Sequence, residues 1–189
     1  TSNDWAGAAG QTSFSFGNIT LSSVGGNMTF NSGSGERAGC NSAGAGLACN
    51  GDGIGIRDDE VTGNTTEKLK IAFSKTVNLL DVHVLDLFVL DTGTQLTEFA
   101  EISLDNVNWS TLAMGVDPNG VNGGYVEASS QGFTGANGIT ECYLRGLANP
   151  VSDFALARLA YEDVPEPAAL GLLGLGLAGI GFARRRRAA

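Results

Sequence analysis

The sequence predicts an all-β protein, a β-sandwich of jelly-roll type followed by one short C-terminal transmembrane helix. The 189 residues include 28 glycines but only 4 prolines, a composition typical of many strands joined by turns. Short apolar–polar alternations recur between Gly-rich spacers, and an apolar run near the end stops at four arginines. We therefore expect a sandwich over 1–161, a linker over 162–167, a membrane helix over 168–183 and a basic cytoplasmic tail over 184–189.

The first strands are predicted around Phe14/Phe16 and Met28/Phe30, where apolar and polar residues alternate. Residues 31–66 have few large apolar groups and many Gly, Asn and Asp, which favours a long structured loop.

The clearest strand signal is "EKLKIAFSKTVNLLDVHVLDLFVLD". Apolar residues alternate with polar ones over 69–73, and after a short "SKT" connection Val82 and Val84 continue one face. The alternation of apolar and polar residues is lost at Asp86, where apolar residues occur on both faces, and this predicts a bulge or a strand buried on both faces.

Further strands follow towards the C-terminus. Ile102 and Leu104 are expected on one face, and "DNVN" is expected to turn the chain into Trp109 and Leu112. Later strands are predicted at 125–128, 139–145 and 154–161, with a helix as the competing interpretation of the last segment.

The charge balance argues against nucleic acid as a partner. The formal net charge is −9, and without the four terminal arginines Lys+Arg falls from 11 to 7 against 20 Asp+Glu, a net charge of −13. Phosphate binding requires clustered Lys and Arg, whereas an acidic surface suits an extracellular protein or cation binding.

Three cysteines are present. Cys40 and Cys49 flank a short Gly/Ala/Ser loop, and a disulfide between them would suit an oxidising compartment. Cys142 is expected to be a buried free thiol, with another pairing or an intermolecular bridge as alternatives.

The C-terminal run over 168–183 would span about 24 Å as a helix, somewhat less than a hydrocarbon core of about 30 Å. Arginines that reach towards the headgroups extend such a span, and glycines are tolerated inside a membrane. A basic cluster favours the cytoplasmic side, which would place the N-terminal domain across the membrane. A buried core helix is the alternative.

The order "VPEP", apolar span, arginine cluster closely resembles the PEP-CTERM sorting signal of Gram-negative bacteria. The resemblance implies that an exosortase recognises the motif, cuts nearby and discards the tail after transient membrane anchoring. It also implies export, and then a place at the cell surface or outside the cell. The residues concerned are Val164, Pro165, Glu166 and Pro167 in the motif, and Arg184, Arg185, Arg186 and Arg187 in the basic stop.

An acidic stretch, "CNGDGIGIRDDEV", suggests a Ca²⁺ site, because this cation prefers several oxygen ligands in a flexible loop. The candidate ligands are Asp52, Asp58, Asp59 and Glu60. Their spacing differs from that of an EF-hand, and a solvated acidic loop is the alternative.

"ISLDNVNWSTL" resembles the "VSxDGxxW" hairpin of discoidin-like jelly rolls, although Asn106 stands where the pattern prefers Gly. Several domains of that kind bind carbohydrate or cell surfaces. Trp109 is therefore a candidate for stacking on a sugar ring, and Trp5, outside the hairpin, is a second candidate. An inward-facing Trp109 that closes the sandwich is the alternative.

No catalytic constellation is evident, and we expect that the protein is not an enzyme. His83 is the only histidine, and no nucleophile signature surrounds a serine. The expected function is that of an exported protein of the cell surface or extracellular matrix, which contributes to biofilm or associates with exopolysaccharide. A self-assembling filament subunit and a lectin-like module are the alternatives. Four Asn-x-Ser/Thr triplets occur, at Asn18, Asn27, Asn64 and Asn108, but a chain so rich in these residues contains such triplets by chance, and the expected glycosylation is not assigned to a position.

Overall fold

A computed structural model describes residues 2–30, 53–57, 60–63, 65–89, 96–116, 124–149 and 151–165. Within these ranges the chain forms ten strands: β1 (Ser13–Phe16), β2 (Ile19–Val24), β3 (Met28–Phe30), β4 (Ile54–Ile56), β5 (Lys68–Leu85), β6 (Phe99–Ser103), β7 (Ser110–Met114), β8 (Val126–Glu127), β9 (Ala136–Gly146) and β10 (Ala155–Asp163). Two 3-10 helices, Ser2–Ala8 and Ala128–Gln131, complete the described elements. The all-β class is confirmed.

The strands form one continuous sheet in the order β3-β4-β10-β5-β9-β6-β7, with β1 attached through β2 and β8 paired with β5. All the strand pairs are antiparallel. The sheet curls around one main hydrophobic core to which nearly every strand contributes, and Leu85, Ala155 and Ala157 form a second, small cluster. Whether it corresponds to a jelly roll stays a prediction.

Strand β5 organises the sheet, because its two halves have different neighbours on one side. Residues 68–73 pair with β2, whereas residues 77–85 pair with β10. Between them, Ser74, Lys75 and Thr76 are exposed, and the register with β9 shifts between Ala72 and Val77. We call 74–76 the corner of β5. The "SKT" prediction marked this place, but the strand continues through it instead of ending there.

A second irregularity of β5 lies at Leu80. The register with β10 jumps here, so Leu80 has no residue opposite it, and its side chain is 48% exposed. After this bulge the core-facing positions change from Val77 and Leu79 to Val82 and Val84. The sequence predicted a bulge or a doubly buried strand at Asp86, whereas the bulge lies at Leu80, the residues buried on both faces are 81–85, and β5 ends at Leu85.

Two interpretations of the sequence need correction. Residues 54–56 form β4 between β3 and β10, although they lie in a segment expected to be a loop. The strand is only three residues long and contains a glycine, so its local signal is weak. Leu104 is 50% exposed because β6 ends at Ser103, whereas Ile102 faces the core as expected.

The strand predicted over 154–161 is confirmed as β10, and the competing helix is not formed. Its partners on both sides are strands of the same sheet, so tertiary pairing decides the conformation of a segment with ambiguous local propensity. The predicted membrane helix over 168–183 lies outside the described residues. Within the ranges given above, no helix is long and apolar enough to cross a membrane.

Candidate functional site

The sorting motif begins where the folded domain ends. Strand β10 ends at Asp163, and the backbone N–H of Val164 donates to the Thr76 carbonyl over 3.1 Å. The Lys75 ammonium lies 3.4 Å from the Asp163 carboxylate. Pro165 is exposed and is the last described residue. Glu166, Pro167 and the four arginines lie beyond the described part of the chain.

A hairpin turn joins β6 to β7 and is organised by one carboxylate, that of Asp105. Oδ1 accepts the backbone N–H of Val107 over 2.9 Å and that of Asn108 over 2.7 Å. The Ser103 hydroxyl also donates to Oδ1 over 2.9 Å, and the Asn108 amide donates to Oδ2 over 2.6 Å. These four donors, those of Asn108 first, hold the pKa of Asp105 well below its usual range.

Asn106 has a positive φ of 59°, a backbone conformation that asparagine tolerates better than most residues. This geometry is consistent with the glycine that the resembling hairpin pattern prefers at that position. The Lys68 ammonium donates to the Asn106 side-chain oxygen over 3.0 Å and ties the turn to the start of β5.

A cavity of about 330 Å³ opens beside this hairpin. Its wall combines polar groups of the turn with apolar side chains, and it lies against the segment before β9. The residues that face it include Ile102, Leu104, Asn108, Ser110 and Phe133. An apolar wall with a few polar groups is typical of small-molecule pockets.

Trp109 lies on the outer face of the sheet, half-buried, and is not part of the hydrophobic core. The Arg145 guanidinium sits 4.0 Å from its ring centroid, and the Lys68 ammonium sits 5.5 Å away. Arg145 also donates to Glu101 over 2.7 Å. The inward-facing alternative is therefore wrong. The ring is covered in part by cations, so a sugar that stacked on it would compete with them.

The other tryptophan is unsuited to a surface role. Trp5 is only 2% exposed and belongs to the main core, together with Ala8 from the same 3-10 helix. The suggestion that Trp5 stacks on a sugar ring is therefore wrong, because its apolar ring is used to close the core.

A second surface network lies next to Arg145 on β9. The Lys70 ammonium is 2.6 Å from the Glu141 carboxylate, which also accepts the Tyr143 hydroxyl over 2.7 Å. The hydrogen bond with Lys70 lowers the pKa of Glu141, and the same contact raises the pKa of Lys70. These groups balance one another's charge on an otherwise acidic protein.

The structure also contains a buried polar cluster that the sequence reasoning missed. His83 Nδ1 lies 2.5 Å from the Tyr125 hydroxyl, which donates to Glu127 over 3.0 Å. His83 Nε2 lies 3.4 Å from Asp81. Asp81 also accepts the Ser129 hydroxyl over 2.5 Å and the Ser129 backbone N–H over 2.8 Å.

The direction of the Ser129 hydrogen bond distinguishes this cluster from a catalytic triad. The Ser129 hydroxyl donates to Asp81, whereas a Ser/His/Asp triad requires the serine hydroxyl to donate to the histidine. Burial disfavours the imidazolium and lowers the pKa of His83, although the charge of Asp81 acts in the opposite direction. The cluster is a hydrogen-bonded network that ties β5 to β8 and the following 3-10 helix.

The candidate calcium ligands are mostly outside the described residues. This holds for Asp52, Asp58 and Asp59, whereas the Glu60 carbonyl accepts the Ile56 N–H over 2.9 Å, just after β4. Among the described residues, no group of three or more His, Cys, Asp or Glu side chains is placed to hold a metal ion.

Cys40 and Cys49 also lie outside the described residues, so their pairing stays a prediction. Cys142 is a buried free thiol, as expected. Burial raises its pKa to about 12, which keeps the sulfur protonated at neutral pH.

Comparison with known proteins gives one match, to a family model that covers the C-terminal segment. Residues 163–187 match the family model described as the PEP-CTERM protein-sorting motif. No curated protein and no solved structure matches the chain significantly. The motif supports the class of exosortase substrates and implies an exported protein that an exosortase sorts at the membrane. The match begins at Asp163, the last residue of β10, so the sorting signal adjoins the folded domain directly.

Proposed function

We propose that this protein is a non-enzymatic component of the cell surface or extracellular matrix, released there by exosortase processing, where it contributes to biofilm or associates with exopolysaccharide. The observation that carries the proposal is the sorting motif at residues 163–187. The acidic, turn-rich domain suits an extracellular setting, and its discoidin-like jelly-roll character is part of the proposal.

The position of the motif supports removal of the tail after folding. The last strand ends at Asp163, and the described core lies entirely before the motif. A cut near Pro165–Pro167 would leave every strand pair of the domain intact. The released product would thus be a complete folded domain without its apolar segment.

The test is processing in the native host. The variant combining Pro165→Ala, Glu166→Ala and Pro167→Ala should stay in the membrane fraction with its tail attached. A matched variant, Glu162→Gln, changes an exposed residue just before the motif and should be processed normally. Equal release of both variants would contradict exosortase sorting.

A lectin-like role is the second candidate, and the cavity beside the Asp105 hairpin is the observation that favours it. Aromatic and polar groups around a cleft of this size suit one or two sugar units. Phe133→Ala should weaken binding to the host's own exopolysaccharide, whereas Phe16→Ala, an exposed aromatic away from the cavity, should not. Trp109→Ala tests whether the ring covered by Arg145 also takes part.

In the filament alternative, the Gly/Ser/Thr-rich N-terminal segment would add a strand to an open sheet edge of a neighbouring subunit. Among the described strands β1 pairs only with β2, and this single pairing does not decide the alternative. Electron microscopy of the tail-less protein distinguishes regular fibres from separate particles.

A further inference from the structure

Strand β1 lies at an edge of the described sheet, because it pairs only with β2. Just before the strand, the Thr12 carbonyl accepts the Ser23 N–H over 2.9 Å. Hydrogen-bonding direction alternates along an antiparallel strand, so the backbone groups of Ser13 and Ser15 point away from β2. Among the described residues, no backbone group outside the strand pairs bonds to either serine. Both serines are exposed, so this edge offers N–H and C=O groups to a further strand.

Two other edges of the sheet are protected by groups of the same chain. At β7, the Gln131 side chain bonds both the N–H and the carbonyl of Met114. At β3, the Met28 N–H donates to the Gln11 carbonyl and the Met28 carbonyl accepts the Gly10 N–H, each over 2.8 Å. Charged residues, prolines and bulges also protect edges. Strand β1 contains no charged residue and no proline, and its register with β2 is regular.

The edge of β1 also lies in a long uncharged stretch. Residues 5–35 include no Asp, Glu, Lys or Arg, although the formal net charge of the chain is −9. Copies of an acidic protein repel one another, and this repulsion is smallest where uncharged surfaces meet. The charge distribution therefore favours β1 as the edge at which a second copy of this chain can approach.

The sequence of β1 is complementary to itself. When two copies of β1 lie antiparallel with Phe14 opposite Phe14, Ser13 of each copy lies opposite Ser15 of the other. The outward N–H and C=O groups of both serines are then paired without Gly17, which lies in the turn with a φ of 57°. Phe16 is 48% exposed in the single chain, and in this register it lies diagonally across from Phe14 of the second copy, within reach of an aromatic contact.

We propose that two copies of this chain associate through antiparallel pairing of their β1 strands, which joins the two sheets into one. The arrangement is two-fold symmetric and uses the same edge of each copy, so association stops at the dimer. It differs in this respect from a filament, in which each subunit uses two different surfaces. A few backbone bonds and aromatic contacts bury little surface, so we expect weak, concentration-dependent association. The pairing requires neither the sorting motif nor its removal.

The test is the oligomeric state of the full chain in detergent micelles, measured by sedimentation velocity over a series of protein concentrations. The native chain should pass from monomer to dimer and no further. Ser15→Pro removes the outward N–H and leaves the bonds to β2 intact, as proline at a strand edge does. It should raise the dissociation constant of the dimer roughly 10- to 100-fold, because each dimer loses two hydrogen bonds. The apolar tail is the same in both chains, so association through the tail does not distinguish them.

Two lysine variants keep the test decisive if Ser15→Pro does not fold, which near-UV circular dichroism detects. Ser15→Lys and Thr20→Lys add the same charge, and both lose the 2.8 Å contact between the two hydroxyl groups. Only Ser15→Lys places the charge on the edge strand, so it should weaken the dimer while Thr20→Lys on β2 does not. Equal effects of the two lysines would overturn the inference. A native chain that stays monomeric, or that grows beyond the dimer, would overturn it as well.

Discussion

At the scale of single residues, His83 has the most unusual environment in the described part of the chain. Its imidazole is buried between Asp81 and Tyr125, and it is the only histidine in the sequence. Burial lowers its pKa, and the nearby Arg158 acts in the same direction, whereas Asp81 and Glu127 oppose both. Its titration therefore reports directly on the buried cluster.

We expect NMR titration of His83 to give a pKa below the ordinary value of about 6.5. Asp81→Asn should lower this pKa further, because it removes the negative charge that favours the imidazolium. A pKa at or above 6.5 in the native protein would contradict the buried arrangement.

The same shift predicts a dependence of stability on pH. Between the folded pKa and about 6.5 the unfolded state binds more protons, so stability falls as pH decreases through this window. One group contributes a slope of at most about 1.4 kcal/mol per pH unit. Denaturant unfolding of His83→Gln should show a shallower slope in this window than the native chain.

Asn106 permits a test of the hairpin backbone. Its φ of 59° favours Gly over Ala, so Asn106→Ala should be less stable than Asn106→Gly by about 1 kcal/mol. Both variants lose the contact with Lys68. The difference in their free energies of unfolding therefore measures the cost of the positive φ alone. Equal unfolding free energies for the two variants would show that the turn relaxes out of this conformation.

At the scale of elements, β7 is the edge strand on one side of the described sheet, and a side chain hydrogen-bonds to its backbone. The Gln131 amide accepts the Met114 N–H over 2.7 Å and donates to the Met114 carbonyl over 2.8 Å. Unpaired strand edges promote association with other chains, and a side chain that occupies the edge groups blocks such pairing.

Gln131→Leu should therefore reduce stability by about 1 kcal/mol and increase self-association. Sedimentation velocity over a range of concentrations measures the association. Ser130→Ala is the matched control, because its hydroxyl donates its hydrogen bond to the Glu127 carbonyl and not to β7. Similar sedimentation of the two variants would show that the amide does not protect the edge.

Strand β5 shows how far the sequence predicts an element. Its alternation over 69–73 correctly predicted one buried face, because every second residue faces the core. In the sequence, the corner and the bulge at Leu80 are visible only as a shift in which alternate positions are apolar. Their structure depends on the partners β2, β10 and β9, which lie far away in sequence.

The candidate sites also differ in whether local sequence predicts them or whether they depend on residues far apart in sequence. The Asp105 turn was predictable, since "DNVN" combines an Asx acceptor with nearby backbone donors. The cavity and the cluster of Asp81, His83 and Ser129 were not, because β5 and the second 3-10 helix bring together residues 48 positions apart. Only the apolar neighbours of Asp81 and His83 indicated that these polar groups are buried and need partners.

At the scale of the whole molecule, a folded β domain is followed directly by a sorting signal. The motif occupies residues 163–187 and begins on the last strand. The start of the motif contacts the domain through the pairing of Asp163 with Val77, the ion pair of Asp163 with Lys75 and the hydrogen bond of Val164 to Thr76. Everything proposed for the protein outside the cell depends on cleavage just after these contacts.

The most direct test is the intact mass of the protein recovered from the culture medium and cell envelope of its native source. We expect a C-terminus near Pro167, with any further mass due to attached sugars. A mass that still includes Arg184–Arg187 would contradict exosortase processing and would make the protein a permanently anchored surface domain.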